Sequence, residues 1–146
     1  MLSLKQAWVR WRDWVLEPRS ARNRAGQEAI LRGRVTQRSL TLLLGLLDEE
    51  QRREFQVYGY FHVTGASSGD TYRIRRDTAV NIDVLGPSGT VRYHLCAHPM
   101  GDIPMYDVMA GQLLYLQDAD GETRFLDQAI RHVTLSFAAM GRWQER

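Results

Sequence analysis

The chain has 146 residues, of which 44% are hydrophobic and 25% are charged, and its formal net charge is +2. This length suits one globular domain, and no apolar run approaches the ~20 residues that span a bilayer, so we expect no membrane span. The single cysteine, Cys96, excludes an internal disulfide and is typical of a reducing compartment.

The charge is divided unequally between the two ends of the chain. Residues 1–38 hold nine basic and three acidic side chains, a net charge of +6, whereas residues 39–146 hold ten basic and fourteen acidic ones, a net charge of −4. All but one of the basic residues are arginines, and codon bias explains that choice but not their concentration at one end. Such an asymmetry indicates a terminal segment that meets a partner.

An amphipathic helix is predicted over residues 3–16, because apolar side chains recur there at the spacing of one helical face. These side chains are Leu4, Trp8, Trp11 and Val15. Pro18 ends this helix or bends it. Residues 19–26 are small, polar and basic, which favours a linker or a weak helical turn. We therefore expect a basic helical arm over residues 1–26.

A single compact domain is predicted over residues 27–146, and it begins with a helix from about Gln27 to Leu47. The buried side of this helix is expected to consist of Leu31, Val35, Leu42, Leu43, Leu46 and Leu47. Asp48 and Gln51 then have the spacing of a helix N-cap and its reciprocal partner. They predict a short helix over Glu49–Tyr58, with Phe55 and Tyr58 inward and Gly59 as its end. An alternative interpretation begins a strand at Phe55.

From Tyr60 the apolar period changes to two, and four strands are predicted as an antiparallel meander with one buried face. The strands are Tyr60–Thr64, Thr71–Arg76, Val80–Leu85 and Thr90–Cys96. Turn-forming residues lie between them at 65–70 and 86–89.

Two helices are predicted after the strands. The first begins at Pro104, ends near Gln117 and has an inner stripe of Met105, Met109, Leu113 and Leu116. The second is predicted over Glu122–His132, with its inner side chains at Phe125, Leu126, Ala129 and Ile130. Residues 133–140 fit a strand or a continuation of that helix. The expected fold class is α+β, with N-terminal helices, a four-stranded antiparallel meander, and C-terminal helices packed on one sheet face.

Short motifs between residues 40 and 130 follow an order that resembles a small domain of uncharacterised bacterial and bacteriophage proteins. They are Asp48-Glu-Glu-Gln-Arg52, Gly59-Tyr-Phe61, Val63, Tyr72-Arg-Ile74, Asn81, Leu95-Cys96, Pro99, Pro104, Asp107 and Phe125-Leu126. The resemblance omits the arm. No known activity attaches to that domain, so the resemblance implies no catalytic residue. It implies a compact domain of a kind often found near mobile genetic elements, and it favours a bacteriophage origin. The expected location of the chain is the cytoplasm of a bacterial host or a virion.

A metal site is one interpretation of His94, Cys96 and His98, which alternate and would face the same way in a strand. Three ligands at this spacing match no standard site, and a fourth would have to come from Asp102 or His132. The alternative is that Cys96 is a small apolar residue at a strand end. We favour this alternative and expect neither a metal nor another cofactor.

A thiol enzyme is the least favoured interpretation. Cys96 with His98 and either Asp102 or Asp107 supplies the residue types of a triad, but the flanking sequence offers no oxyanion site.

A further acidic group, Asp118, Asp120, Glu122 and Asp127, partly resembles a calcium loop. A solvated helix N-terminus explains that group better.

The arm carries the strongest functional signal, and it predicts a non-enzymatic interaction or assembly protein, such as a bacteriophage virion component. Its partner would be another protein or a further copy of this chain, held by aromatic and arginine anchors. The predicted binding residues are Trp8, Arg10, Trp11, Arg12, Val15, Arg19, Arg22 and Arg24. One alternative is a nucleic-acid-binding factor that contacts phosphates through the same arginines. Another is that the tryptophans pack on the chain's own body.

Overall fold

The computed structural model describes residues 19–76 and 80–133, and for residues 19–22 it describes the backbone alone. The chain divides into two compact units, Met1–Gln37 and Arg38–Arg146. The elements are α1 (Arg19–Leu46), α2 (Glu49–Tyr58), β1 (Tyr60–Thr64), β2 (Thr71–Arg75), β3 (Ile82–Leu85), β4 (Val91–Cys96), α3 (Met105–Gln117), α4 (Ala119–Gln128) and β5 (Ile130–His132).

The described strands form one antiparallel sheet in the order β1-β2-β3-β4-β5, which is a meander without crossovers. Alternate side chains of its strands are buried on one face: Phe61, Val63, Tyr72, Ile74, Ile82, Val84 and Leu95. Helix α3 covers this face with Met109, Leu113 and Leu116, which are fully buried in the same cluster. The α+β class is therefore confirmed.

Helix α2 begins at the predicted capping box. The Asp48 carboxylate accepts a hydrogen bond from the Gln51 backbone N–H (2.8 Å), and the Gln51 side-chain oxygen accepts one from the Asp48 N–H (3.1 Å). Gly59 ends the helix in the left-handed region (φ 74°), where its N–H donates to the carbonyl of Phe55. The alternative of a strand beginning at Phe55 is wrong, because these two caps define a helix across it.

The C-terminal part of the sheet differs from the prediction, because the last described helix ends at Gln128 and a fifth strand follows. Ile130 pairs with Cys96, Arg131 with Leu95, and His132 with His94. This pairing gives the outer edge of β4 backbone partners that a helix over the same residues would not provide. Consequently Ile130, predicted to be buried in a helix, is exposed.

Residues 19–26 were predicted as a linker or a weak turn, but they form the first turns of α1. Arginine and alanine, which have high helix propensity, make up five of these eight residues, and this explains the difference. The predicted helix over residues 3–16 and the ambiguous stretch 134–140 lie outside the described residues.

Candidate functional site

Helix α1 exposes much of the apolar side that the sequence predicted to be buried. The exposed fractions are 58% for Leu31, 49% for Val35, 54% for Leu42 and 36% for Leu46. At 100° per residue, these four side chains lie within about 60° of one another around the helix axis. We call this set the α1 stripe.

The buried residues of α1 lie on a different part of the helix surface. Leu43 and Leu47, which follows the helix directly, are almost fully buried in the core of the second unit, and Ser39 is buried beside them. The prediction was therefore right for Leu43 and Leu47 and wrong for the α1 stripe. Leu31 and Val35 belong to residues 23–38, where every side chain is exposed, whereas Leu42 and Leu46 lie next to the buried arc of Ser39, Leu43 and Leu47 but outside it.

The predicted arm residues stand in three groups. Trp8, Arg10, Trp11, Arg12 and Val15 lie outside the described residues. Arg19 and Arg22 lie in the first turns of α1, where only the backbone is described, and Arg24 is exposed two residues later. From residue 23 to residue 38 every side chain is exposed, and the charged ones are four arginines and Glu28. Residues 23–38, of which the first four belong to the arm, are thus helical, basic and exposed.

A polar row crosses the sheet on the face opposite the core, with one residue from each strand in register. Its members are His62, Arg73, Asp83, His94 and His132. The Asp83 carboxylate, which is 2% exposed, lies at the centre of this row. It accepts hydrogen bonds from Arg73 Nε (2.8 Å) and Arg75 Nε (3.2 Å), and it contacts His94 Nδ1 at 2.7 Å. This cluster joins β2, β3 and β4.

We expect Asp83→Asn to lower the free energy of unfolding by about 2 kcal/mol, because it leaves two partly buried guanidinium groups without their anion. Urea denaturation would measure the change. The matched control is Asp70→Asn, since Asp70 forms a more exposed pair with Arg92 (3.3 Å) and should contribute less than about 0.5 kcal/mol. Equal effects of the two substitutions would contradict a structural role for the Asp83 cluster.

The acidic residues after α3 lie on a helix whose N-terminus is mainly solvated, as the sequence suggested, with the exception of Glu122. Asp118 is the N-cap of α4 and accepts a hydrogen bond from the Gly121 N–H (2.7 Å). Glu122 is completely buried and lies against the turn between β1 and β2. Its carboxylate accepts hydrogen bonds from the backbone N–H groups of Ser67 (2.5 Å) and Ser68 (3.1 Å). The hydroxyls of Ser68 (2.5 Å) and Tyr72 (2.7 Å) also donate to it.

Burial alone would raise the pKa of Glu122, but the hydrogen bonds from Ser68, Tyr72 and the two backbone amides together hold this pKa below its usual value. Burial, together with the negative charge of Glu122, raises the pKa of Tyr72 well above its usual value, so the phenol stays protonated and donates. The Glu122 site thus stabilises a buried anion that fastens α4 to the sheet.

The suggested metal site and thiol triad do not assemble among the described residues, although His94 and His132 are cross-strand neighbours. His94 contacts Asp83, Cys96 ends β4 opposite Ile130, and His98 lies beyond the strand. His98 and Asp107 line one cavity that Cys96 does not line. Among residues 19–76 and 80–133, no three histidine, cysteine or acidic side chains are grouped closely enough to hold a metal ion.

Comparisons of the chain with family models, curated proteins and solved structures found no match. In the part of the chain that the structure describes, no helix combines the length and the apolar character needed to cross a bilayer.

Proposed function

We propose that this chain is a non-enzymatic interaction or assembly protein that holds a second copy of itself through α1 and the preceding arm. The observation that carries this proposal is the α1 stripe, four apolar side chains in one helical row that are one-third to three-fifths exposed. Single exposed apolar residues are common on protein surfaces, whereas an aligned row indicates an interaction surface.

The spacing of the α1 stripe supports a second copy as the partner. From Leu31 the steps along the helix are four, seven and four residues, so the pattern is the same in both directions. A two-fold axis beside residues 38 and 39 would place Leu31 against Leu46 and Val35 against Leu42 of an antiparallel second helix. Such a contact uses the same surface on both copies, which is how a two-fold dimer closes.

The α1 stripe alone is too small for a stable interface. Four partly exposed aliphatic side chains offer less surface than the roughly 800 Å² that each partner buries in a standard complex. We propose that the arm supplies the rest, with Trp8, Trp11 and Val15 as apolar anchors and its arginines at the rim. The bacterial or bacteriophage setting of this assembly is supported only by the sequence resemblance.

The molecular mass in solution tests this proposal. We expect the full chain to form a dimer whose mass falls towards that of a monomer on dilution from about 500 to about 5 µM. Removing residues 1–26 should weaken the dimer at least tenfold, because it removes the tryptophan anchors. Sedimentation equilibrium would measure both constants, and a full-length monomer at every concentration would rule the proposal out.

A second candidate function is nucleic-acid binding. The observation that favours it is the exposed helical stretch 23–38, which holds four arginines and one glutamate. Binding through phosphates would weaken steeply as salt rises, because each contact releases counterions. An apolar helix pair would tolerate the same salt. Tight binding of random-sequence DNA or RNA at low salt, by a protein that stays monomeric, would favour this second function.

A further inference from the structure

The second unit contains a cavity that the proposed interaction function does not use. It has a volume of about 440 Å³ and lies between α3, α4 and the loop after β4. Ala97, Pro99, Ile103, Val108 and Phe125 give it mainly apolar walls. A volume of this size is in the range of pockets that hold whole small molecules.

One buried polar atom of the cavity lacks a hydrogen-bond partner among the described residues. His98 Nε2 is buried and has none, which is costly for a ring nitrogen unless a bound group satisfies it. Asp107, a partly exposed acidic residue in the first turn of α3, also lines the cavity. Gln112, by contrast, is fully engaged by Asn81 (2.8 and 2.9 Å) and by the carbonyl of Ala97 (3.2 Å).

The walls also contain two aromatic rings near each other. The centroids of Tyr115 and Phe125 are 6.4 Å apart, and both rings line the cavity. Asp107 is the acidic side chain of the lining. A carboxylate, a ring nitrogen that accepts a hydrogen bond, and aromatic faces are the groups that bind an organic ammonium ion.

We propose that this cavity binds a small organic cation, namely a primary ammonium group carried on an apolar or aromatic body. The ammonium pairs with Asp107 and donates a hydrogen bond to His98 Nε2. The apolar body lies between Ile103, Val108 and the two rings. A carboxylate ligand is disfavoured, because it would meet the charge of Asp107.

The proposal can be tested with phenethylamine as the probe and with 2-phenylethanol and 3-phenylpropionate as controls of similar shape. Titrations followed by ¹H–¹⁵N NMR should show shifts at residues 97–103, 107–115 and 125–128. We expect phenethylamine to bind at least tenfold more tightly than either control. The proposal is overturned by no shifts at these residues, or by equal or tighter binding of the alcohol or the acid.

Two variants separate a specific site from surface attraction. In Gly111→Leu the side chain enters the cavity, since a Cβ at this position meets no atom within 4 Å, and binding should fall at least tenfold. Gly33→Leu is its matched control on an open helix surface and should bind as the parent does. Asp107→Asn should weaken phenethylamine about tenfold and leave 2-phenylethanol unchanged. Unaltered phenethylamine binding in both Gly111→Leu and Asp107→Asn would also overturn the assignment.

Discussion

Replacing Glu122 with glutamine is expected to lower the free energy of unfolding by about 3 kcal/mol. The buried carboxylate receives hydrogen bonds from four donors, and a glutamine amide would turn its own N–H groups towards some of them. A buried donor without an acceptor costs about 1–3 kcal/mol, and more where it served a charged group. Urea denaturation followed by circular dichroism would measure the loss.

The matched control for this substitution lies on the same helix. Asp127 is exposed near the end of α4, so Asp127→Asn should change stability by less than about 0.5 kcal/mol. Gly65→Ala offers an independent check, because a Cβ at Gly65 would overlap the Glu122 carboxylate and disturb the same contacts. If Glu122→Gln were as harmless as Asp127→Asn, the buried carboxylate would not hold α4 to the sheet.

The effect of Glu122 should also depend on pH in a defined direction. The pKa of Glu122 is lower in the folded chain than in the unfolded chain, so the folded state favours the ionised form of this carboxyl group. Its contribution to stability is therefore complete above the unfolded pKa of about 4.3 and is lost as the pH falls through the folded pKa. The stability difference between the parent and Glu122→Gln should shrink on acidification below about pH 4.

Local chemistry made much of the fold predictable. The capping box of α2, the left-handed Gly59 and the period-two strands are signals that neighbouring residues carry by themselves. The fifth strand was missed because Ile130–His132 is only three residues long and takes its conformation from pairing with β4. Partners that are distant in sequence decide such a segment, and no local pattern encodes them.

The candidate surfaces were harder to predict for a similar reason. Sequence periodicity shows that α1 has an apolar side, but it does not show how much of that side the body covers; Leu43 is buried and Leu42 beside it is not. Glu122 looked like a solvated first-turn acid because the turn at Ser67 and Ser68 that surrounds it lies more than fifty residues away. Arginine content did indicate the basic character of residues 23–38, but it did not indicate their exposure, since residues 27–38 were predicted to belong to the compact domain with Leu31 and Val35 buried.

A charge within the α1 stripe should dissociate the proposed dimer. Leu42 lies in the middle of the stripe, so Leu42→Asp would place a carboxylate opposite Val35 of the second copy. Because a two-fold contact contains each substitution twice, we expect at least a hundredfold weaker association. Leu114→Asp is the matched control, since Leu114 is equally exposed (53%) on α3, outside the stripe. Sedimentation equilibrium would compare the two variants.

Replacing a charged residue beside the α1 stripe with an apolar one tests the same contact by strengthening it. Arg38 is exposed and interrupts the apolar row between Val35 and Leu42, and in the antiparallel pair the two copies of Arg38 would lie close to the two-fold axis. Arg38→Leu removes this repulsion and completes the row, so association should tighten about tenfold. A parallel pair would bring Leu42 against Leu42, whereas the antiparallel pair brings position 31 of one copy against position 46 of the other. A disulfide that forms when Leu31→Cys and Leu46→Cys are combined, but with neither substitution alone, therefore identifies the antiparallel pair. If Leu114→Asp dissociated the dimer and Leu42→Asp did not, the interface would lie elsewhere and α1 would have no part in it.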